Sequence, residues 1–263
     1  MTTPPPQRIG AALTETPHVR WMASIALALG SLREEVVFIG GAIAPLLQTE
    51  PVLDRVRATR DVDAIIASIR YDDVHQLHER LRELGFRHDA TYRAHMHRFI
   101  LEQPSGGGPP IAFDLVPAGA HLGASGNLWD VLAIETAVAS VLPSGLVLRH
   151  AAAPAFLALK WSAHNDRGGH DPFNSHDLED ILGILACRPI LLEEMHNVPL
   201  SMKIFVAECA AALLSDPDVE ELVHDAVRGP SGLAGRVLTR LKALAALDLP
   251  KSGRSAVVPV AKK

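Results

Sequence analysis

Val19, Met22, Ile25, Ala26 and Leu29 recur at spacings of three and four or fall beside one another, which predicts a helix over residues 17–32 with one apolar face. Residues 35–39, Glu-Val-Val-Phe-Ile, form a short continuous apolar run, the pattern of a buried strand. The run stops at Gly40-Gly41, and residues 42–48 read as helical, so the two glycines sit at a strand-to-helix turn. A second strand is expected over residues 61–67, Asp-Val-Asp-Ala-Ile-Ile-Ala. Val74, Leu77, Leu81 and Leu84 then predict an amphipathic helix over 73–84, closed by Gly85 in the usual C-terminal position. Residues 98–101 and 111–116 predict two more strands. Between them, residues 103–110 hold three Gly and three Pro, so the pair reads as a hairpin with a flexible tip. Residues 145–149 make a fifth strand candidate.

Beyond residue 150 the pattern turns helical. Helices are expected over 154–164, with Pro154 in a favourable first turn, and over 175–187, with Ser175 as the N-cap. Three more are expected over 198–214, 216–228 and 232–247. The expected class is therefore α/β (α+β): a mixed sheet with flanking helices in residues 1–150, then an α-helical half over 151–250, then a flexible tail over 251–263. The first eight or so residues also read as a tail, since segments of this composition rarely order unless docked. No internal repeat is visible.

Composition narrows the class without choosing a function. The 263 residues are 48% apolar and 21% charged, which excludes wholesale disorder, a coiled coil and a collagen-like rod. Twenty-five basic residues against thirty acidic ones give a formal charge of −5, so there is no global pull toward nucleic acid. Cys187 and Cys209 have apolar neighbours and make no disulfide framework; they read as buried thiols in a reducing compartment. No long apolar stretch follows an early basic region, and the run over 23–30 is too short to span a bilayer. A cytoplasmic protein without a membrane partner is the expectation.

Candidate chemistry gathers at Gly40-Gly41 and at Thr59-Arg60-Asp61-Val62-Asp63. Residues two apart on a strand point the same way, so Asp61 and Asp63 present two carboxylates on one face. Like charges so close call for a cation between them. Mg²⁺ suits one or two carboxylates together with phosphates. The glycines leave backbone N–H groups bare at a helix N-terminus, which suits phosphate oxygens. Asp114 stands in the middle of the apolar strand Ile-Ala-Phe-Asp-Leu-Val and is costly to bury unpaired. If its strand lies beside that of Asp61 and Asp63, three carboxylates converge as metal ligands; otherwise it pairs with a buried Arg. The alternative for the Asp pair is a solvated strand edge.

Leu157, Lys160 and His164 lie near one helical face, and Lys160 in that apolar stripe needs an acid or a phosphate. Asp177 and Asp180 share a face of the next helix, so a salt bridge from Lys160 to either acid is the structural alternative. His95 and His97 share a strand face, but no Cys or Glu stands at zinc-motif spacing, which argues against zinc. His97 and Arg98 open the strand next to the acidic one and are candidates to line a cleft. The runs Arg55-x-Arg57-x-x-Arg60 and Arg80-x-Arg82 read as solvated faces.

A Gly-Gly turn, an Asp-x-Asp strand and a third Asp on a later strand resemble the nucleotidyltransferase superfamily, with its polymerase-beta-like fold. Phe156-Leu-Ala-Leu-Lys160, Arg167 and His176-Asp177-Leu-Glu-Asp180-Ile resemble the Lys…Arg…Lys-Asp-x-x-Asp-Leu stretch of AbiEii-type and MenT-like nucleotidyltransferases. The likeness spans roughly residues 35–186. It implies that Gly40, Gly41, Thr59, Arg60 and Lys160 bind the nucleotide, with ATP among the candidate NTPs. It also implies that Asp61, Asp63 and Asp114 hold Mg²⁺ or Mn²⁺ and act with Lys160 and Asp177 in catalysis. The sequence departs from the pattern in having His176 before the late Asp, a longer loop over 165–174, and 20 positions between Gly41 and Asp61. The activity implied is NMP transfer from an NTP to a hydroxyl of tRNA, protein or a small molecule such as an aminoglycoside. The helical half would complete the cleft. The resemblance also implies a toxin-like or phage-defence role with an antitoxin protein as partner. A phosphohydrolase and a non-catalytic nucleotide-binding or interaction module stay open as rivals, because fold analogy alone does not fix function.

Overall fold

The computed structural model describes residues 15–53, 57, 59, 61–67, 71–90, 97–103, 108–118, 127–167 and 171–247. The expected tails, the hairpin tip at 104–107, and Arg55, Arg60 and His95 lie outside them.

Among the described residues, seven strands form one mixed sheet in the order β3-β4-β5-β2-β1-β7-β6. The strands are β1 (Val36–Ile39), β2 (Asp61–Ile66), β3 (Phe86–His88), β4 (Arg98–Leu101), β5 (Ile111–Pro117), β6 (Val138–Val141) and β7 (Val147–His150). β2 runs parallel to β5 and β1 parallel to β7; every other neighbouring pair is antiparallel. Parallel neighbours need a crossover between them. Between β2 and β5 that crossover contains α3 (Tyr71–Glu83) and the β3–β4 edge of the sheet.

The first helix is shorter than its apolar periodicity suggests. α1 (Pro17–Ala28) ends near Gly30, whose φ of +55° starts a 3₁₀ segment over Gly30–Glu34. Likewise, the turn after β1 opens as a 3₁₀ segment over Gly41–Ile43 before the single-turn helix α2 (Ala44–Leu47). Gly85 sits at φ +91° behind α3, as a helix-closing glycine should. Leu84, expected on the buried stripe, is 37% exposed because α3 ends before it, at Glu83.

Four elements lacked a sequence signal. β3 is three residues long and mostly polar, β6 is a four-residue edge strand whose apolar run is interrupted by Ser140, and α4 (Leu128–Glu135) and α7 (Leu191–Met195) are too short to show periodicity. The remaining helices are α5 (Ala153–Arg167), α6 (His176–Cys187), α8 (Leu200–Leu214), α9 (Val219–Ala226) and α10 (Leu233–Ala245). Helix α5 packs on α4, α6 and α8, and α10 packs on α6 and α8. Apolar side chains of sheet and helices join in one core, from Val19 and Phe38 to Leu185 and Leu241. No helix among the described residues is long and apolar enough to cross a membrane.

Candidate metal and phosphate site

Strand register builds the site. Asp63 is the direct neighbour of Asp114 across the parallel β2–β5 ladder, and Arg98 is the neighbour of Asp114 across the antiparallel β4–β5 ladder. Asp61 lies two residues from Asp63, so all four side chains share one face of the sheet. On β5 the opposite face is the apolar one: Ile111, Phe113 and Leu115 are buried, while Ala112, Asp114 and Val116 are half-buried. One oxygen from each of Asp61, Asp63 and Asp114 lies within 4.8 Å of the other two. Among the described residues this is the one group of three or more His, Cys, Asp or Glu side chains so placed.

Electrostatics shows what such a cluster needs. Two unit charges at this separation repel by about 3 kcal/mol at an effective dielectric near 20. Arg98 supplies one compensating charge, reaching Asp61 Oδ2 at 3.1 Å and Asp114 Oδ2 at 3.2 Å. With all three carboxylates ionised, their charge exceeds that of the one guanidinium and leaves room for a divalent cation. Burial, then the charges of Asp61 and Asp114, push the Asp63 carboxyl up to about 7, against the opposing pull of Lys160 and Arg98. An all-carboxylate donor set is hard, which fits Mg²⁺ or Mn²⁺ and does not fit a thiophilic metal.

The glycine turn closes against these acids. Gly40 has φ +74°, and a Cβ there would overlap the Asp63 carboxylate. Glycine is therefore required twice over, by backbone conformation and by close approach. A Cβ on Gly41 would run into Arg57 Nη2 and come within 3.2 Å of Asp180 Oδ2. The glycine pair thus touches the acid triad on one side and a second charged cluster on the other.

That second cluster comes from α5, α6 and the segment before β2. Arg57 Nε and Nη2 donate to Asp180 Oδ1 and Oδ2 at 2.9 and 3.0 Å, a bidentate pair. Lys160 Nζ donates to Asp177 Oδ1 at 2.9 Å and lies 2.6 Å from Asp180 Oδ2. Arg167 Nη2 reaches Asp177 Oδ2 at 3.0 Å from a largely exposed position. Burial disfavours the Lys160 ammonium, but Asp180 and Asp177 outweigh it and hold its pKa above the ordinary value. Burial likewise opposes the Asp180 charge, and Lys160 and Arg57 nevertheless hold its carboxyl below the usual range.

The structure thus joins Gly40, Gly41, Asp61, Asp63, Asp114, Lys160 and Asp177 through a chain of contacts and charges. Thr59 is buried: its Oγ1 donates to Asp61 Oδ1 at 2.9 Å, and its N–H donates to His18 Nε2 at 2.9 Å. Its hydroxyl is spent on orienting an acid. Arg60 lies outside the described residues. Two structural alternatives occur: Asp114 does pair with an Arg, and Lys160 pairs with both acids. The solvated-face reading of Arg57 is corrected. Its side chain is 17% exposed because Asp180 and Gly41 enclose it, whereas the Arg80 and Arg82 side chains are 46% and 68% exposed.

Sequence reasoning missed the pairing of Arg57 with Asp180 and the placement of Arg98 across the triad. The spacing of Asp177 and Asp180 on one helical face was the available signal for a second cation; nothing local pointed to Arg57. A cleft of about 260 Å³ lies elsewhere: Phe173, Leu178, Glu179, Leu182, Leu222 and Arg228 are in its lining, and none of the three Asp is.

No protein-family model matches the sequence, and no curated protein is similar to it at a significant level. Solved structures do match. An antigenic nucleotidyltransferase-like protein from Paracoccidioides brasiliensis superposes with a TM-score of 0.51 at 18% identity, covering 85% of this chain and 99% of that one. The chain has the nucleotidyltransferase fold. JHP933 from Helicobacter pylori is similar at a TM-score of 0.43 and 15% identity, covering 89% of this chain and 97% of its own. Within the nucleotidyltransferase fold of this chain, the acid triad sits on the central strands β2 and β5, and the glycine turn follows the adjacent β1.

Proposed function

We propose that the protein is a metal-dependent nucleotidyltransferase that moves an NMP unit from an NTP to an acceptor hydroxyl. The observation that carries this reading is the convergence of Asp61, Asp63 and Asp114 on one sheet face, against a glycine turn that admits no side chain. In this reading the three carboxylates hold Mg²⁺ or Mn²⁺, which when bound would polarise the α-phosphate and neutralise charge on the phosphates. The N–H groups that follow Gly40 and Gly41 cradle phosphate oxygens. Lys160 and Arg57 face the charge that builds on the departing pyrophosphate, and Asp177 and Asp180 hold those two cations in place.

The acceptor oxygen attacks the α-phosphorus and forms the new P–O bond. The bond to the β-phosphate breaks, pyrophosphate leaves with that electron pair, and the hydroxyl proton passes to a carboxylate of the triad. The finer reading is an AbiEii-type or MenT-like enzyme with a toxin-like role and an antitoxin protein as partner. It rests on the order Lys160, Arg167, Asp177, Asp180, which the Lys160–Asp177 and Arg167–Asp177 contacts join in space. The acceptor classes remain tRNA, protein and small molecules.

The test incubates the purified chain with each α-³²P-labelled NTP, Mg²⁺ or Mn²⁺, total RNA and cell lysate. Label is expected on RNA, protein or a small acceptor with wild type and not with Asp61→Asn or Asp63→Asn. Free labelled NMP or NDP without a labelled acceptor would favour the phosphohydrolase. NTP binding without any turnover would favour the non-catalytic module.

A further inference from the structure

Arg98 lies against the carboxylates that would hold a metal. Its Nη2 and Nη1 engage Asp61 Oδ2 at 3.1 Å and Asp114 Oδ2 at 3.2 Å, so one guanidinium spans two of the three candidate ligands. The other oxygen of Asp61 already accepts from Thr59 Oγ1 at 2.9 Å. Both oxygens of that carboxylate therefore have a donor. On its other side, Arg98 Nε lies 4.0 Å from Asp89 Oδ2, and the Arg98 carbonyl accepts from the Asp89 N–H at 3.0 Å. The side chain is only 15% exposed, and a guanidinium keeps its charge at any working pH. It is therefore a permanent positive charge placed by strand register inside the acid cluster.

We propose that Arg98 is the resident counter-cation of the triad, which a divalent metal must displace from Asp61 and Asp114, so that this residue sets how tightly the free metal binds. The inference rests on the metal-dependent reading above. Asp89 provides the retreat: it is the acid outside the triad that already faces Nε, and the displaced guanidinium keeps it as a partner. Two charge-assisted hydrogen bonds are lost when the metal enters, so metal affinity is held down by at least about tenfold. Conversely, the metal-free protein leans on Arg98 to keep three carboxylates together.

The experiment titrates the EDTA-stripped full-length chain with Mn²⁺ at pH 8 and reads the free ion by electron paramagnetic resonance. Arg98→Met is expected to bind Mn²⁺ at least about tenfold more tightly than wild type. Its metal-free form is expected to melt lower, with a larger rise on adding Mn²⁺. Arg98→Lys keeps a charge but loses the fork, and should bind a fewfold more tightly than wild type; it also serves should Arg98→Met fail to fold. Asp61→Asn should abolish binding in every background. If wild type binds Mn²⁺ in an Asp61-dependent way and the Arg98 variants bind it equally or more weakly, the role given to Arg98 is overturned while the metal site stands. If neither wild type nor the variants bind Mn²⁺, both fall.

Discussion

At the scale of single residues, the site turns on atoms that fit only one way. Gly40 combines a positive φ with a Cβ position already filled by the Asp63 carboxylate. Gly40→Ala is expected to destabilise the fold by about 1–3 kcal/mol through backbone strain alone, and to displace Asp63. Urea denaturation would read the first effect and loss of Mn²⁺ binding the second. His150 offers a different test. It is buried with Nδ1 donating to the Ala151 carbonyl at 2.9 Å and Nε2 beside Ser140 Oγ at 2.8 Å, and burial lowers its pKa to about 4. The folded state therefore resists protonation that the unfolded state accepts near pH 6.5. Its contribution to stability is intact above that pH and is lost as pH falls from about 6.5 toward about 4. Asp63 and Asp130 have raised values and act in the opposite sense over the same range, so the comparison must be made against a His150→Gln variant. Between pH 7 and 4.5, wild type is expected to lose roughly 2–3 kcal/mol more than that variant.

At the scale of elements, caps and registers deliver the charges. Ser175 caps α6 by accepting from the Leu178 N–H at 3.3 Å, and its Oγ is also 2.7 Å from His164 Nδ1 on α5. The first turn of α6 carries Asp177, and Asp180 follows one turn on, so the cap also sets where two site acids begin. Ser175→Ala is expected to cost about 1 kcal/mol, measured by thermal denaturation. A larger loss would mean that the His164 contact matters more than the cap. The longer helices, such as α6 and α10, were legible because their apolar periodicity repeats over several turns, whereas α4 and α7 are too short for that. β3 and β6 were not, since a strand of three or four residues at the sheet margin has too few positions to show a period.

At the scale of the whole molecule, the Arg57–Asp180 pair ties the segment before β2 to α6, across 123 positions of chain. Breaking a buried pair by removing one partner is costly because the other charge stays behind. Arg57→Met is therefore expected to destabilise by about 3 kcal/mol, at the low end for such pairs because Asp180 keeps Lys160. Arg57→Met with Asp180→Asn should cost less than the sum of the single changes, which a double-mutant cycle in urea would read. Purely additive costs would show that the two ends are held by apolar packing alone.

Alternation and periodicity are local, so the chain by itself determined that Asp61 and Asp63 share a face, that Gly40-Gly41 ends a strand, and that Asp177 and Asp180 share a helical stripe. Period two on a strand and 3.6 on a helix follow from backbone geometry, whatever the neighbours are. Which strand lies beside which is a non-local outcome of burial and pairing across the sheet. Only the tertiary structure decided that β5 runs parallel to β2 with Asp114 level with Asp63, and that β4 places Arg98 across from Asp114 and within reach of Asp61. It alone folded Arg57 beneath Gly41, where an arginine that looked solvated becomes part of a buried charge network, because Asp180 was there to receive it.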